Sequence, residues 1–237
     1  MTSLCVEGWR GINHSFSIVN QWQLLELVEK DIKISHLDKP FFKSSWNVKQ
    51  NSCGIEQKLI NKINSIPKAQ TGGKFDVLYR IYYPFNLAEG KADKVFVFGA
   101  PSLGNCKGMT EGATIKEASK RDSLIIITPS QWSKMGFINS GFPEEMIKVI
   151  NHGVNSSCFY PIDLDKRKIL REGMGIKEDD FILLNVGALT SNKGVNYLIR
   201  AYCELKNSYP NLKLIIKDSS DLYNINLKDI INKFNIK

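Results

Sequence analysis

Apolar and polar positions change their period repeatedly along the 237-residue chain, and each change marks an element. Leu4 to Glu7 is a short apolar start closed by Gly8. Ser15 to Lys30 carries Ile18, Trp22, Leu25 and Val28 at helical spacing, and Ile32 to His36 alternates like a strand. Ile55 to Ile66 is helical and stops at Pro67. Asp76 to Tyr82 and Lys94 to Phe98 read as strands, and Thr110 to Arg121 as a helix. The run Leu124-Ile125-Ile126-Ile127 has the continuous apolar character of a parallel strand buried on both faces. Gln131 to Ser140 predicts a short helix, and Met146 to Asn151 a further strand.

The pattern then repeats. Lys166 to Glu172 is helical, Phe181 to Val186 a buried-type strand, and Gly187 to Gly194 a loop. Val195 to Ser208 is an amphipathic helix, Leu212 to Ile216 a strand, and Leu227 to Phe234 the start of another helix. Strands alternating with helices predict an α/β fold with a doubly wound, Rossmann-like sheet. Residues 1–160 suffice for one complete domain of this kind, and residues 161–237 for an incomplete second one. With two strands the second sheet is marginal, because so little apolar surface is buried.

Composition narrows the class. Apolar residues make up 43% and charged residues 24%, the balance of a globular chain rather than a disordered one. No apolar run has the length of a membrane-spanning helix, and the first residues lack the basic-then-apolar order of a signal peptide. The five cysteines are scattered and odd in number, which fits buried thiols better than a disulfide framework or a zinc site. A net charge of +8 attracts phosphates of any origin. The densest basic cluster, Lys166, Arg167, Lys168 and Arg171, lies at helical spacing and reads first as a solvated face. The aromatic residues sit at core positions rather than interleaved with cations, which argues against nucleic acid as a partner.

Two loops carry candidate chemistry. Gly8-Trp9-Arg10-Gly11-Ile12-Asn13-His14 joins the first strand to the first helix, at the strand end where doubly wound sheets bind ligands. Its glycines suit either a tight turn or a backbone brought close to a ligand, and His14 either caps the helix or contacts a substrate. The second loop, Val186-Gly187-Ala188-Leu189-Thr190-Ser191-Asn192-Lys193-Gly194, follows a strand and opens a helix. Such a loop can offer backbone N–H groups and a lysine to a phosphate, or can be an ordinary turn; it is not a Walker loop. A dinucleotide fingerprint is missing, which disfavours an epimerase or dehydrogenase.

Taken together, Ile127-Thr128-Pro129-Ser130-Gln131-Trp132, Lys148-Val149-Ile150-Asn151-His152-Gly153-Val154-Asn155, the loop ending at Lys193-Gly194, and Tyr209-Pro210-Asn211-Leu212 resemble family 4 glycosyltransferases of the group 1 type. The resemblance implies a GT-B-like fold and transfer of a sugar from a nucleotide-sugar donor to a glycan or lipid-linked acceptor. It further implies retention, no metal, no cofactor, and a place in cell-surface polysaccharide synthesis. It assigns His14 as the catalytic candidate and Gly11, Asn13, Gly187, Thr190 and Lys193 as substrate-binding candidates, with Lys193 on the leaving diphosphate. Ala188 stands where that family often has arginine, and nothing after Asp218 matches its Glu-x7-Glu motif, so a C-terminal domain cut short is expected. The expected location is cytoplasmic, with peripheral association at an anionic membrane. The alternative is an inactive or partner-dependent fragment that acts as a basic binding module.

Overall fold

The computed structural model describes residues 1–48, 54–101, 103–218, 222–223 and 227–233. Strands β1 (Thr2–Gly8), β2 (Ile32–Asp38), β3 (Phe75–Ile81), β5 (Ala92–Phe98), β7 (Leu124–Thr128) and β8 (Ile147–Val149) form one parallel sheet, ordered β2-β1-β3-β5-β7-β8. Short strands β4 (Phe85–Asn86) and β6 (Thr110–Glu111) pair apart from it. Helices α1 (Ser15–Leu27), α2 (Gln57–Asn64), α3 (Ile115–Ala118) and α4 (Gln131–Ile138) connect the strands. These elements lie in a first compact unit, Met1–Gly153.

Both faces of that sheet are covered, as an all-parallel sheet requires. On one face Val6, Tyr79, Ile81 and Phe98 pack with Leu24 and Leu25 of α1 and Ile63 of α2. On the other, Val97 and Ile126 pack with Phe85, Phe137 and Phe142. Each such side chain contributes about 1.5–3 kcal/mol of burial free energy.

Two elements differ from the sequence reading. The helix predicted over 110–121 shrinks to α3. Thr110–Glu111 is drawn into pairing with Phe85–Asn86, and Gly112 has φ 80°, a left-handed conformation that breaks a helix. The helix starts only after Thr114, whose hydroxyl accepts from Glu117 N–H while the Glu117 carboxylate accepts from Thr114 N–H. In α1 the fully buried stripe is not the apolar one: Ser17, Asn20 and Gln21 are buried with Leu24 and Leu25, while Ile18 and Trp22 are only half-buried.

The second unit, Val154–Lys237, contains α5 (Leu164–Gly173), β9 (Phe181–Val186), α6 (Val195–Leu205), β10 (Leu212–Lys217) and α7 (Leu227–Lys233). Phe234, the predicted end of the last helix, lies outside the described residues. Strands β9 and β10 pair in parallel. Leu214 and Ile216 join Leu189, Val195 and Ile199 in a small core. Strand parity puts Leu184 and Val186 on the opposite face, where they are 64% and 66% exposed.

Candidate functional site

Chain order and sheet order part company at β1. The chain runs from β1 outward to β2, then returns to place β3 on the other side of β1. In open α/β sheets the ligand crevice lies at such a reversal, beyond the carboxyl ends of the strands. Gly8 ends β1, opposite Asp38 of β2 and Ile81 of β3. The turn Trp9–His14 therefore stands at the switch point.

Side chains of α1 take N–H groups of the turn. Gly11 N–H donates to Gln21 Oε1 at 3.2 Å, and Ile12 N–H to Ser17 Oγ at 3.4 Å. The buried polar stripe of α1 thus exists to serve the turn, because a buried N–H left without a partner is costly. Gly11 has φ 74°, and a Cβ there would lie 2.6 Å from Val48 Cγ1. It is a conformational glycine. His14 is the N-cap of α1: its Nδ1 accepts from Phe16 N–H at 3.2 Å. A neutral ring so engaged carries its proton on Nε2. The His14 ring packs against Trp9 (centroids 5.1 Å) and Trp46 (5.2 Å). Asn13 beside it is half-buried.

Aromatic residues continue along the carboxyl edge. Phe16 meets Phe98 at 5.5 Å, and Phe98 meets the ring of His152 at 5.7 Å. Partial burial lowers the His152 pKa. Beneath the turn lies a polar network. Asn20 Nδ2 donates to Trp9 O at 2.9 Å and lies 3.0 Å from His36 Nε2. His36 Nδ1 faces Asp38 Oδ1 at 3.3 Å. Arg10 grips Asp38 through two nitrogens, at 2.8 and 2.6 Å, and donates to Ile63 O. Burial lowers the His36 pKa, and Asp38 is held far below the usual carboxylate range by His36 and Arg10 against its own desolvation.

A cavity of about 200 Å³ opens elsewhere in this unit, lined by Cys5, Glu7, Arg80, Gly90 and Lys91 among others. None of the six predicted site residues lines it. Arg80 is committed to structure there: it donates to Glu7 and to the carbonyls of Asn86, Ala88 and Glu89.

In the second unit the β9–α6 loop follows the expected strand–loop–helix path. Gly187 N–H is taken by Lys217 O at 3.0 Å and extends the ladder. The Thr190 hydroxyl donates to Asn192 Oδ1 at 2.6 Å, and Lys193 N–H to Thr190 O at 2.9 Å. Lys193 is exposed at the end of a 3-10 turn. Gly194 then takes a left-handed conformation (φ 69°) as the N-cap of α6, with no side-chain cap on the helix. A helix N-terminus of this kind favours an anion.

Comparison with known proteins bears on this segment directly. Residues 166–237 match the family described as glycosyl transferases group 1. Over 82 residues the chain is 37% identical to an uncharacterized glycosyltransferase of Methanocaldococcus jannaschii, covering 33% of this chain and 20% of that one. Seventy residues are 30% identical to the alpha-monoglucosyldiacylglycerol synthase of Acholeplasma laidlawii, covering 29% of this chain and 18% of that one. The matches thus span a fifth or less of these curated relatives. The whole chain superposes on 67% of Anabaena HepE, crystallised with UDP and glucose, with a TM-score of 0.56 and 17% identity. The likeness shows a GT-B-like fold, and the chain spans about two thirds of the length of that structure.

The structure groups Gly11, Asn13 and His14 on one turn of the first unit, and Gly187, Thr190 and Lys193 on one loop of the second. Sequence reasoning missed the aromatic edge of Trp46, Phe98 and His152 and the network of Asn20, His36 and Asp38. A polar residue every third or fourth position on one side of α1 was the available signal. Among the described residues no group of three or more His, Cys, Asp or Glu could hold a metal ion, and no helix is long and apolar enough to cross a membrane.

Proposed function

We propose that the chain acts as a glycosyltransferase, moving a sugar from a nucleotide sugar to a glycan or lipid-linked acceptor. One observation carries the donor half of this reading. The group 1 match falls on β9, its loop and α6, and there an exposed Lys193 immediately precedes a helix N-terminus that no side chain caps. As the bond from sugar C1 to the diphosphate oxygen breaks, negative charge grows on the diphosphate. A cation and a helix N-terminus in place before the reaction stabilise that charge. Thr190 and Gly187 shape the loop. On the acceptor side, the reading gives His14 Nε2–H and Asn13 to the acceptor hydroxyls, with Gly11 as the residue that lets the turn form. Retention without a metal, and a polysaccharide or glycolipid product, belong to the same proposal. The lipid product named for the Acholeplasma relative supports a lipid acceptor.

Titration calorimetry with UDP and UDP-glucose tests the donor half. Lys193→Ala is expected to weaken binding about tenfold, or about 1.4 kcal/mol, the low end for a charged hydrogen bond. Equal binding by parent and variant removes Lys193 from the donor site.

A second reading, the basic binding module, is favoured by α5, which exposes Lys166, Arg167 and Lys168 beside Leu164, Ile169 and Leu170. Binding to anionic vesicles that falls steeply with salt, without UDP binding, would select it.

A further inference from the structure

We propose that Asn20, His36 and Asp38 are positioning residues that lock the Trp9–His14 turn through a single tautomer of a buried histidine. This rests on the reading of that turn as the acceptor contact.

The chain of assignments starts at a backbone carbonyl. Trp9 O can only accept, so the atom of Asn20 that meets it at 2.9 Å must be the amide nitrogen. The same nitrogen lies 3.0 Å from His36 Nε2. Two donors cannot share that contact, so Nε2 is the acceptor and the ring proton sits on Nδ1, facing Asp38 Oδ1 at 3.3 Å. Asp38 in turn holds Arg10, the second residue of the turn, through two nitrogens. Asn20 and His36 are both wholly buried, so no water competes for these contacts. One orientation of the ring therefore holds Asn20 and the Trp9 carbonyl directly, and Arg10 through Asp38, which Nδ1 approaches electrostatically without a formed hydrogen bond. Gly8 makes room for it: a Cβ there would lie 2.7 Å from Asn20 Nδ2. Asn20 and His36 are wholly buried and act through Trp9 and the start of α1, while the half-exposed Asp38 acts through its grip on Arg10.

Two measurements on the full chain test this. Long-range ¹H–¹⁵N spectra of the parent protein should show His36 with Nδ1 protonated and Nε2 bare at neutral pH. The Nε2-protonated tautomer overturns the proposal outright and needs no variant. Amide exchange then compares His36→Gln, whose side-chain oxygen can accept from Asn20, with His36→Phe, which keeps a ring but no acceptor. The Phe variant should speed exchange at Phe16 N–H about tenfold, with Gln restoring most of the protection and Val95 and Gly99 unchanged. Equal exchange in both variants, or loss of protection throughout the sheet, reduces the network to ordinary core. If the turn loosens in His36→Phe while the KM for acceptor stays put, the lock stands and the acceptor role assigned to the turn falls.

Discussion

Gly8→Ala is a small change with a large expected effect. A Cβ at this position would lie 2.9 Å from the carbonyl oxygen of Ile81, 2.9 Å from Ile81 Cγ2 and 2.7 Å from Asn20 Nδ2. A carbon–oxygen contact of this type settles at about 3.3 Å or more, so β1 and β3 must part by about 0.4 Å, or the new methyl must push α1 outward. Neither is easy, since Gly8 is in register with Ile81 on one side and Asp38 on the other. Overpacking of this kind costs about 1–3 kcal/mol. Displacing the Asn20 amide forfeits its bond to Trp9 O, about 1 kcal/mol more. The sum is about 2–4 kcal/mol. All four tryptophans (Trp9, Trp22, Trp46 and Trp132) lie in the first unit, so their fluorescence follows its unfolding alone. With a urea slope of about 2 kcal/mol/M, the midpoint should fall by about 1–2 M. Gly153→Ala is the control, for a Cβ there meets nothing within 4 Å and the change should stay below about 0.5 kcal/mol. A Gly8→Ala midpoint indistinguishable from that control would refute the close approach of α1 to the sheet, and with it the room claimed for Asn20.

Acid should destabilise the first unit in two stages. The His36 pKa is lowered by burial from an ordinary 6.5, so the neutral ring contributes fully above that pH and its contribution is lost as pH falls through the folded-state value. Asp38, lowered by His36 and Arg10, acts with the same sign but only below the ordinary carboxylate range. Urea midpoints measured from pH 7 to 5 should therefore decline, and His36→Gln should flatten the decline; a parallel slope in the variant removes His36 as its source. Arg80→Met leaves Glu7 without its partner at 3.0 Å and strips donors from the Asn86, Ala88 and Glu89 carbonyls, an expected loss of about 3–5 kcal/mol by tryptophan-monitored unfolding. Adding Glu7→Gln should restore part of it, and strict additivity of the two changes would contradict the pairing.

What was legible in the sequence was what neighbouring residues decide together. The Leu124–Ile127 run announces a strand buried on both faces because its pattern is complete within the strand. The β9–loop–α6 order is likewise local, and the structure follows it to Lys193. The helix read over 110–121 failed because Thr110–Glu111 is claimed by Phe85–Asn86, a partner some 25 residues away in the chain, and local propensity carries no record of such pairing. The His36 network closes among residues 9, 10, 20, 36 and 38 on three separate segments, and each of them reads alone as unremarkable. The polar stripe on α1 has the spacing of a solvent face. Only the fold reveals that it points inward at the N–H groups of a turn.

The uncovered side of the β9–β10 pair has a practical consequence for anyone who purifies this protein. Leu184 and Val186 lie side by side in water on a strand already extended. A surface of that kind seeds association between molecules at high concentration, and the attraction is entropic. It therefore weakens on cooling. Dilution and cold should keep the preparation monodisperse, whereas warming a concentrated stock should bring turbidity well before the tryptophans of the first unit report any loss of structure.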